Sequence, residues 1–398
     1  MPTTVDFNPL TAHFQQEPYP VYRQMRDEAP VHFIESIGAW GLFRYEDCAR
    51  TFKNPAVFSA RDFIANALGE FDPVPEATCM IAMDPPEHTR VRQLANRAFT
   101  PSVIRKMKDD VEDTISGLLE NAMAKGREFD FTNDFAAAVP ASVTATILGV
   151  EPHIGAGDFK RWTIDLVKAP SRSVLPADEL ARMHRSKEEI REYFTEQIAY
   201  RRRHPGKDLI SALVQAEEND QTLTELEILS LLAIMVIGGA ETPSHLIGST
   251  LWQMFTHPDA MRAVRADPDR IDDVLEETLR HQSPVHFIFQ TAAQEVEVRG
   301  VTIPADSPVF SFVASANRDE RVFDDPDTFD INRNSRSKHL AFARGPHYCI
   351  GDNLGRLMCG SAVRQAVLKM PNLRAGHDTV EWMPSFWIRG PKSLPVTY

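Results

Sequence analysis

Cys349 is the residue from which chemistry can be read first. It closes the run His339-Leu340-Ala341-Phe342-Ala343-Arg344-Gly345-Pro346-His347-Tyr348-Cys349, and Ile350-Gly351 follow it. Gly345-Pro346 interrupts regular structure. The spacing of Ile350, Leu354, Leu357 and Met358 then predicts a helix starting just after the thiol, over about 350–369. A cysteine at a helix N-terminus faces free backbone N–H groups and the positive end of the dipole. Both favour the thiolate, the form that binds metal. Gly351 permits close backbone approach. The position suits a buried structural cysteine as well, and spacing alone leaves both readings open.

Three further groups could do chemistry or support it. In Gly238-Gly239-Ala240-Glu241-Thr242-Pro243 an acid and an alcohol follow two glycines, each costing about 1 kcal/mol in a helix interior relative to alanine. Pro243 lacks the N–H that would bond the Gly239 carbonyl. The segment is therefore a kinked or opened helical turn that carries an acid and an alcohol side by side. In Glu277-Thr278-Leu279-Arg280 the charged ends share a helix face and can pair, though an ordinary surface pair contributes only ~0–1 kcal/mol. In Asp84-Pro85-Pro86-Glu87-His88-Thr89-Arg90-Val91-Arg92, Pro86 suits a first helical turn, and His88 and Arg92 lie one turn apart on one face.

The elements that must position these groups are mostly helical. Thr224-Glu225-Leu226-Glu227 is a capping box ahead of an apolar helix running to about His257. Ile271, Val274, Leu275 and Leu279 give helical periodicity over 270–281. Pro20 to Met25 reads as a short helix. Val31 to Ile34 and Trp40 to Phe43 read as a hairpin across Ser36-Ile37-Gly38-Ala39. Short β runs occur at Val296 to Val298 and Val309 to Val313, and Trp382 to Val396 reads as extended. Without strand–helix alternation, this is a mainly α chain with small β-sheets, an α+β class and not a doubly wound sheet.

Composition narrows the function classes. Lys and Arg number 43 against 56 Asp and Glu, a net charge of −13 that disfavours general nucleic-acid binding. The 4 cysteines form no CxxC pair, so neither a disulfide framework nor a structural zinc site is expected. The N-terminus carries no signal-peptide pattern. The most apolar stretch, Ile228 to Ala240, is shorter than the ~20 residues a spanning helix needs. A cytoplasmic protein without a membrane anchor is the expectation.

The Phe342–Gly351 segment resembles the haem-binding loop of the cytochrome P-450 family: Phe, a small residue, any, Gly, any, Arg or His, any, Cys, any, Gly. Phe342, Gly345, His347, Cys349 and Gly351 match, Ala343 stands where Gly or Ser is usual, and Pro346 is a less common insert. The Glu277/Arg280 pair, the 84–92 segment, the 238–243 motif and Arg389-Gly390-Pro391 follow the family's order. The resemblance thus runs from the Val31 hairpin to Val396. It implies one 1–398 domain of a large P-450-type fold around a buried haem b, iron protoporphyrin IX. Cys349 would be the iron ligand, with Phe342 beside the sulfur and Gly239 on the cofactor. His88, Arg92 and His347 would face the propionates. Glu277, Arg280 and, as third partner, Arg333 would be structural.

The implied activity is that of a haem-thiolate monooxygenase. One atom of dioxygen would be inserted by hydroxylation or epoxidation, with Glu241 relaying protons and Thr242 hydrogen-bonding on the oxygen side. A haem protein that binds or senses a ligand without turnover is the alternative, and it has no need of Glu241 and Thr242. Electrons would come from a ferredoxin with its reductase, since no fused reductase follows. A helix from Arg90 to Lys108, with Arg92, Arg97, Arg105 and Lys106, offers a basic docking face. The implied pocket lies under 63–83 and 166–175 and includes Ile234, Ile237, Val285, Phe287, Ile288 and Phe386. Those residues suit a lipophilic terpenoid, steroid, fatty acid or polyketide. Gln290 stands where the family usually has a propionate-binding Arg, so its amide is expected to bind weakly or to turn away.

Overall fold

Long-range helix packing organises the chain around the segment that follows Cys349. The computed structural model describes residues 7–150, 156–218, 220–334 and 336–398. The helix Asp352–Lys369 packs against Lys108–Met123, Glu241–Thr256 and Ile271–His281. Its apolar face, Leu354, Met358, Ala362 and Ala366, is buried in the largest core cluster. Burying each such Leu- or Met-sized side chain contributes roughly 1.5–3 kcal/mol.

The main sheet has five strands in the order Val31–Ile34, Ala39–Leu42, Pro308–Ser311, Ile288–Ala292 and Phe58–Ser59. All pairings are antiparallel except Pro308–Ser311 with Ala39–Leu42. The expected hairpin forms with Val31 opposite Leu42 and Ile34 opposite Ala39. The Val296–Val298 strand forms as expected, whereas the run at 309–313 is a strand only to Ser311, and Val313 opens a short helix. Beneath the sheet an aromatic cluster joins Phe7, Phe14, Tyr22, Phe43, Phe287 and Phe312, with Phe43 stacked on Phe312 at 4.6 Å. The architecture is the expected α+β arrangement.

Two helices differ from expectation. The helix expected from Thr224 to His257 begins with its capping box intact: the Thr224 hydroxyl accepts from the Glu227 N–H at 3.2 Å, and the Glu227 carboxylate from the Thr224 N–H at 2.8 Å. It then divides into Glu225–Gly238 and Glu241–Thr256. Pro243 falls in the first turn of the second piece, where its missing N–H has no partner to lose. The break therefore belongs to Gly239 and Ala240. The helix expected from Arg90 to Lys108 is three pieces, Glu87–Ala98, Pro101–Lys106 and Lys108–Met123. Thr100 caps the second by accepting from Val103 N–H, and Pro101 starts it.

Candidate active site

The loop carrying Cys349 is held from both sides. Cys349 N–H donates to Phe342 O at 3.0 Å, closing the loop on itself. Ala343 and Gly345 adopt positive φ, 57° and 70°. A Cβ on Gly345 would run into the Phe52 carbonyl oxygen, so only glycine fits there. Behind the loop, Arg356 donates to Asp352 and to Glu276, each at 2.6 Å, and stacks over Phe342 at 4.5 Å. Tyr348 and His339 complete this network through Asp352 and Glu276, at 3.0 and 3.2 Å. Against the opposing effect of burial, hydrogen bonds from His339 and Arg356 hold Glu276 down at about 2. No sequence signal pointed to this network, because Glu276 and Arg356 are distant in the chain.

Cys349 itself is exposed, yet burial pushes its thiol up, while the Gly351 N–H and the charges of Arg92 and Arg356 draw it down. These two facts describe one geometry: a thiol deep in the chain that faces an internal space. Cys48, Cys79 and Cys359 are buried, and burial raises each of them, Cys79 to about 11.

Beside the loop, the His88 and His347 rings lie 4.1 Å apart. His88 is 1% exposed, and neither of its ring nitrogens has a hydrogen-bond partner among the described groups; His347 Nε2 has none either. Burial, then the neighbouring His347 and Arg92, push His88 down to about 4. The half-buried Arg92 completes the group and feels the Cys349 charge. Buried polar nitrogens without partners are costly, about 1–3 kcal/mol each. This donor set suits the two carboxylates of a haem whose iron meets Cys349. Bound to a thiolate, such an iron supplies dioxygen activation, because the sulfur pushes electron density toward it and favours O–O cleavage.

Gln290 is buried in the sheet with both amide N–H groups directed at backbone, to Phe58 O at 2.9 Å and Thr51 O at 3.4 Å. Its donors are turned away, and its Oε1 lacks a partner. The buried Arg344 Nε also lacks one.

The second half of the site is the helix break. Gly238 is exposed at the end of its helix, and a Cβ there would meet nothing within 4 Å; a Cβ on Gly239 would sit 2.5 Å from Met235 O. Cys359 Sγ lies 3.6 Å from Pro243 O, which sets the break against the helix that follows Cys349. Glu241 and Thr242 are half-buried at this point. Glu241 Oε1 is 3.5 Å from His245 Nε2, one turn on. Sequence reasoning passed over His245, although the four-residue spacing from an acid was a readable signal.

Glu277 and Arg280 are fully buried and paired at 2.6 and 2.8 Å. Arg333 Nε donates to the same carboxylate at 3.3 Å. The surface pair that spacing alone allowed is thus an interior one.

The expected pocket residues differ in their exposure. Ile234, Ile237, Val285, Ile288 and Phe386 are half-buried. Phe287 is buried in the aromatic cluster, stacked on Phe310 at 4.4 Å and on Phe386 at 5.4 Å. It thus belongs to the core cluster beneath the sheet. Leu166 and Ala169 are fully buried, and the side chains of Pro170, Ser171 and Val174 lie outside the described residues. The expected basic face is also divided. Arg90 ion-pairs with the buried Glu227, and Arg92 donates to Asn96 at 2.9 Å, leaving Arg97 on the first helix and Arg105, Lys106 and Lys108 on the next two as its exposed cations.

A family model described as Cytochrome P450 matches residues 9–369. The chain belongs to the cytochrome P450 family. Cytochrome P450 107B1 of Saccharopolyspora erythraea is 34% identical over 96% of this chain and 95% of its own. The solved cytochrome P450 CYP109Q5 of Chondromyces apiculatus superposes with a TM-score of 0.90 at 33% identity, covering 98% of this chain and 97% of that one. P450BioI, solved with an acyl carrier protein ligated to hexadec-9Z-enoic acid, reaches 0.86 at 29% identity, covering 97% and 99%. This cytochrome P450 is therefore a haem-dependent monooxygenase. The one helical stretch among its described residues long and apolar enough to cross a membrane, Glu225–Thr256, is the broken core helix just described.

Proposed function

We propose that this chain is a single-domain haem b monooxygenase of the cytoplasm that hydroxylates or epoxidises a lipophilic small molecule of the terpenoid, steroid, fatty-acid or polyketide class. The observation that carries the reading is the exposed yet interior Cys349 beside the partnerless nitrogens of His88 and His347. Cys349 holds the iron. His88, Arg92 and His347 hold the propionates, and Phe342 and Gly239 line the cofactor. The half-buried aliphatic residues Ile234, Ile237, Val285 and Ile288 favour an apolar substrate. The fatty acyl chain carried in the P450BioI complex supports the same chemical class. Glu241 and Thr242 deliver protons at the break, and a ferredoxin with its reductase supplies electrons at the exposed Arg105, Lys106 and Lys108. A ligand sensor without turnover has no use for an acid and an alcohol at that point.

The test is Thr242→Ala. Haem content and substrate-induced spectral shift should stay unchanged while electrons are diverted from product to peroxide, because a hydroxyl positioned for proton transfer is lost. Unchanged coupling of electron use to product would remove Thr242 from the reaction. Failure of every lipophilic compound in a broad panel to shift the ferric spectrum would remove the substrate class.

A further inference from the structure

We propose that His245 is the positioning residue for the Glu241 carboxylate, a role that rests on the proton-delivery reading of Glu241 and Thr242. His245 lies one turn beyond Glu241 and is 7% exposed. Its Nε2 is 3.5 Å from Glu241 Oε1, inside ion-pair range but longer than a direct hydrogen bond. Neither ring nitrogen has another partner among the described groups. Leaving both unpaired costs free energy that one N–H···O contact to the acid would recover.

The ring has nowhere else to go. Gly390 packs against it so closely that a Cβ there would lie 2.5 Å from both Cβ and Cγ of His245. Pro391 continues the same segment against Gly248, one turn further along the helix, where a Cβ would be 3.3 Å from Pro391 Cδ. The Glu241 side chain, by contrast, is 33% exposed. The fixed imidazole and the movable acid thus divide their roles: His245 is the post and Glu241 swings. Without the post, the carboxylate of Glu241 is free to turn toward water, away from the hydroxyl of Thr242 beside it in the chain. Gly390 is part of the device, since its missing side chain is what admits the ring.

Two measurements on the haem-loaded protein test this. The first is the yield of product per electron in His245→Leu and His245→Gln. Leu removes the N–H donor and should lower the yield roughly twofold, the low end of a hydrogen bond's net effect, as suits a contact longer than a direct one. Gln returns a donor at similar reach and should restore most of it, with the carbonyl spectrum and substrate affinity unchanged in both. The second needs no turnover. In histidine-selective 15N NMR of the diamagnetic ferrous carbonyl form, Glu241→Gln should move the ring signals of His245, assigned by their absence from His245→Leu, and leave the other histidines in place. Unmoved signals, or a His245→Leu variant as well coupled as the parent, would overturn the positioning role even if Glu241→Gln and Thr242→Ala uncouple. If those two variants also stay coupled, the proton-delivery reading falls, and this inference with it.

Discussion

Replacing Glu277 by alanine should be among the most damaging single changes in the chain, and the structure sets its size. Arg280 uses all of its N–H groups: Nε and Nη2 on Glu277, Nη1 on Asn317 O and Pro326 O, and Nη2 again on Thr328 O, at 2.6–3.1 Å. The same carboxylate accepts from Asp330 N–H at 3.0 Å and from Arg333. Both Glu277 and Arg280 side chains are 0% exposed, so water cannot take the place of the lost oxygens. Breaking such a buried pair costs about 3–5 kcal/mol, because a charge remains without compensation. Against a total stability of about 5–15 kcal/mol this is a large share. With about 2.1 cal/mol/K of unfolding entropy per residue, it lowers the melting temperature of a chain this long by about 5 °C. Urea unfolding followed by tryptophan fluorescence should show a lower midpoint at unchanged slope. The control is Arg262→Ala, whose partner is Asp259 and whose pair is 71% and 88% exposed; it should move stability by no more than ~0.5 kcal/mol. Equal midpoints for the two variants would refute the argument that burial, not pairing, sets the cost.

Cys349→Ser should abolish the thiolate signature of the reduced carbonyl spectrum, whereas serine at Cys48, Cys79 or Cys359 should leave it intact; a surviving signature in the first variant would reassign the ligand. Ala343→Gly should stabilise the protein by about 1 kcal/mol, since alanine holds a left-handed φ of 57° that costs a side-chain-bearing residue about that much, and a thermal melt that does not rise would count against strain in the loop. Glu276 is held near 2 in the folded chain, against 4.5 as an unpaired carboxyl. Its folded value is depressed, so its contribution, about 3 kcal/mol, is complete above pH 4.5 and is lost as pH falls toward 2; Glu276→Gln should flatten that acid limb of stability, and an unchanged limb would show that Glu276 does not control it.

Local signals were the legible ones. The capping box at Thr224 and Glu227 appears in the fold with both of its hydrogen bonds, because both partners lie within one turn. The hairpin at Val31 was readable for the same reason, from alternation and a turn between short apolar runs. Thr100-Pro101 was an equally local signal, a cap followed by an N1 proline, and overlooking it joined the first two of those three helices. What was hidden depends on tertiary partners. The burial of Phe287 comes from its ring contacts with Phe310, Phe312 and Phe386, and nothing near Phe287 in sequence encodes that. The network behind Cys349 joins Glu276 to Arg356 and His339 across distant segments. The burial of Glu277 and Arg280 likewise comes from carbonyls of 317–328 that converge on Arg280. Gln290 was legible as a departure, but the direction of its amide required knowing that the carbonyls of Phe58 and Thr51 lie beside it.

Gly345 meets Phe52, a residue from the opposite end of the chain, and that contact orders events during synthesis. The ribosome releases the segment around Phe52 well before the loop carrying the thiol. Until both are present, the loop lacks the surface against which its left-handed turn is moulded. Closing so long a span adds only slowly growing entropy, but such distant pairings delay folding more than local ones. A nascent chain therefore carries His88 and Arg92 before any Cys349 thiol stands opposite them. With Cys349 as the iron ligand, cofactor capture would have to wait for that loop, and a translation product ending before Cys349 would have no thiolate to offer the iron.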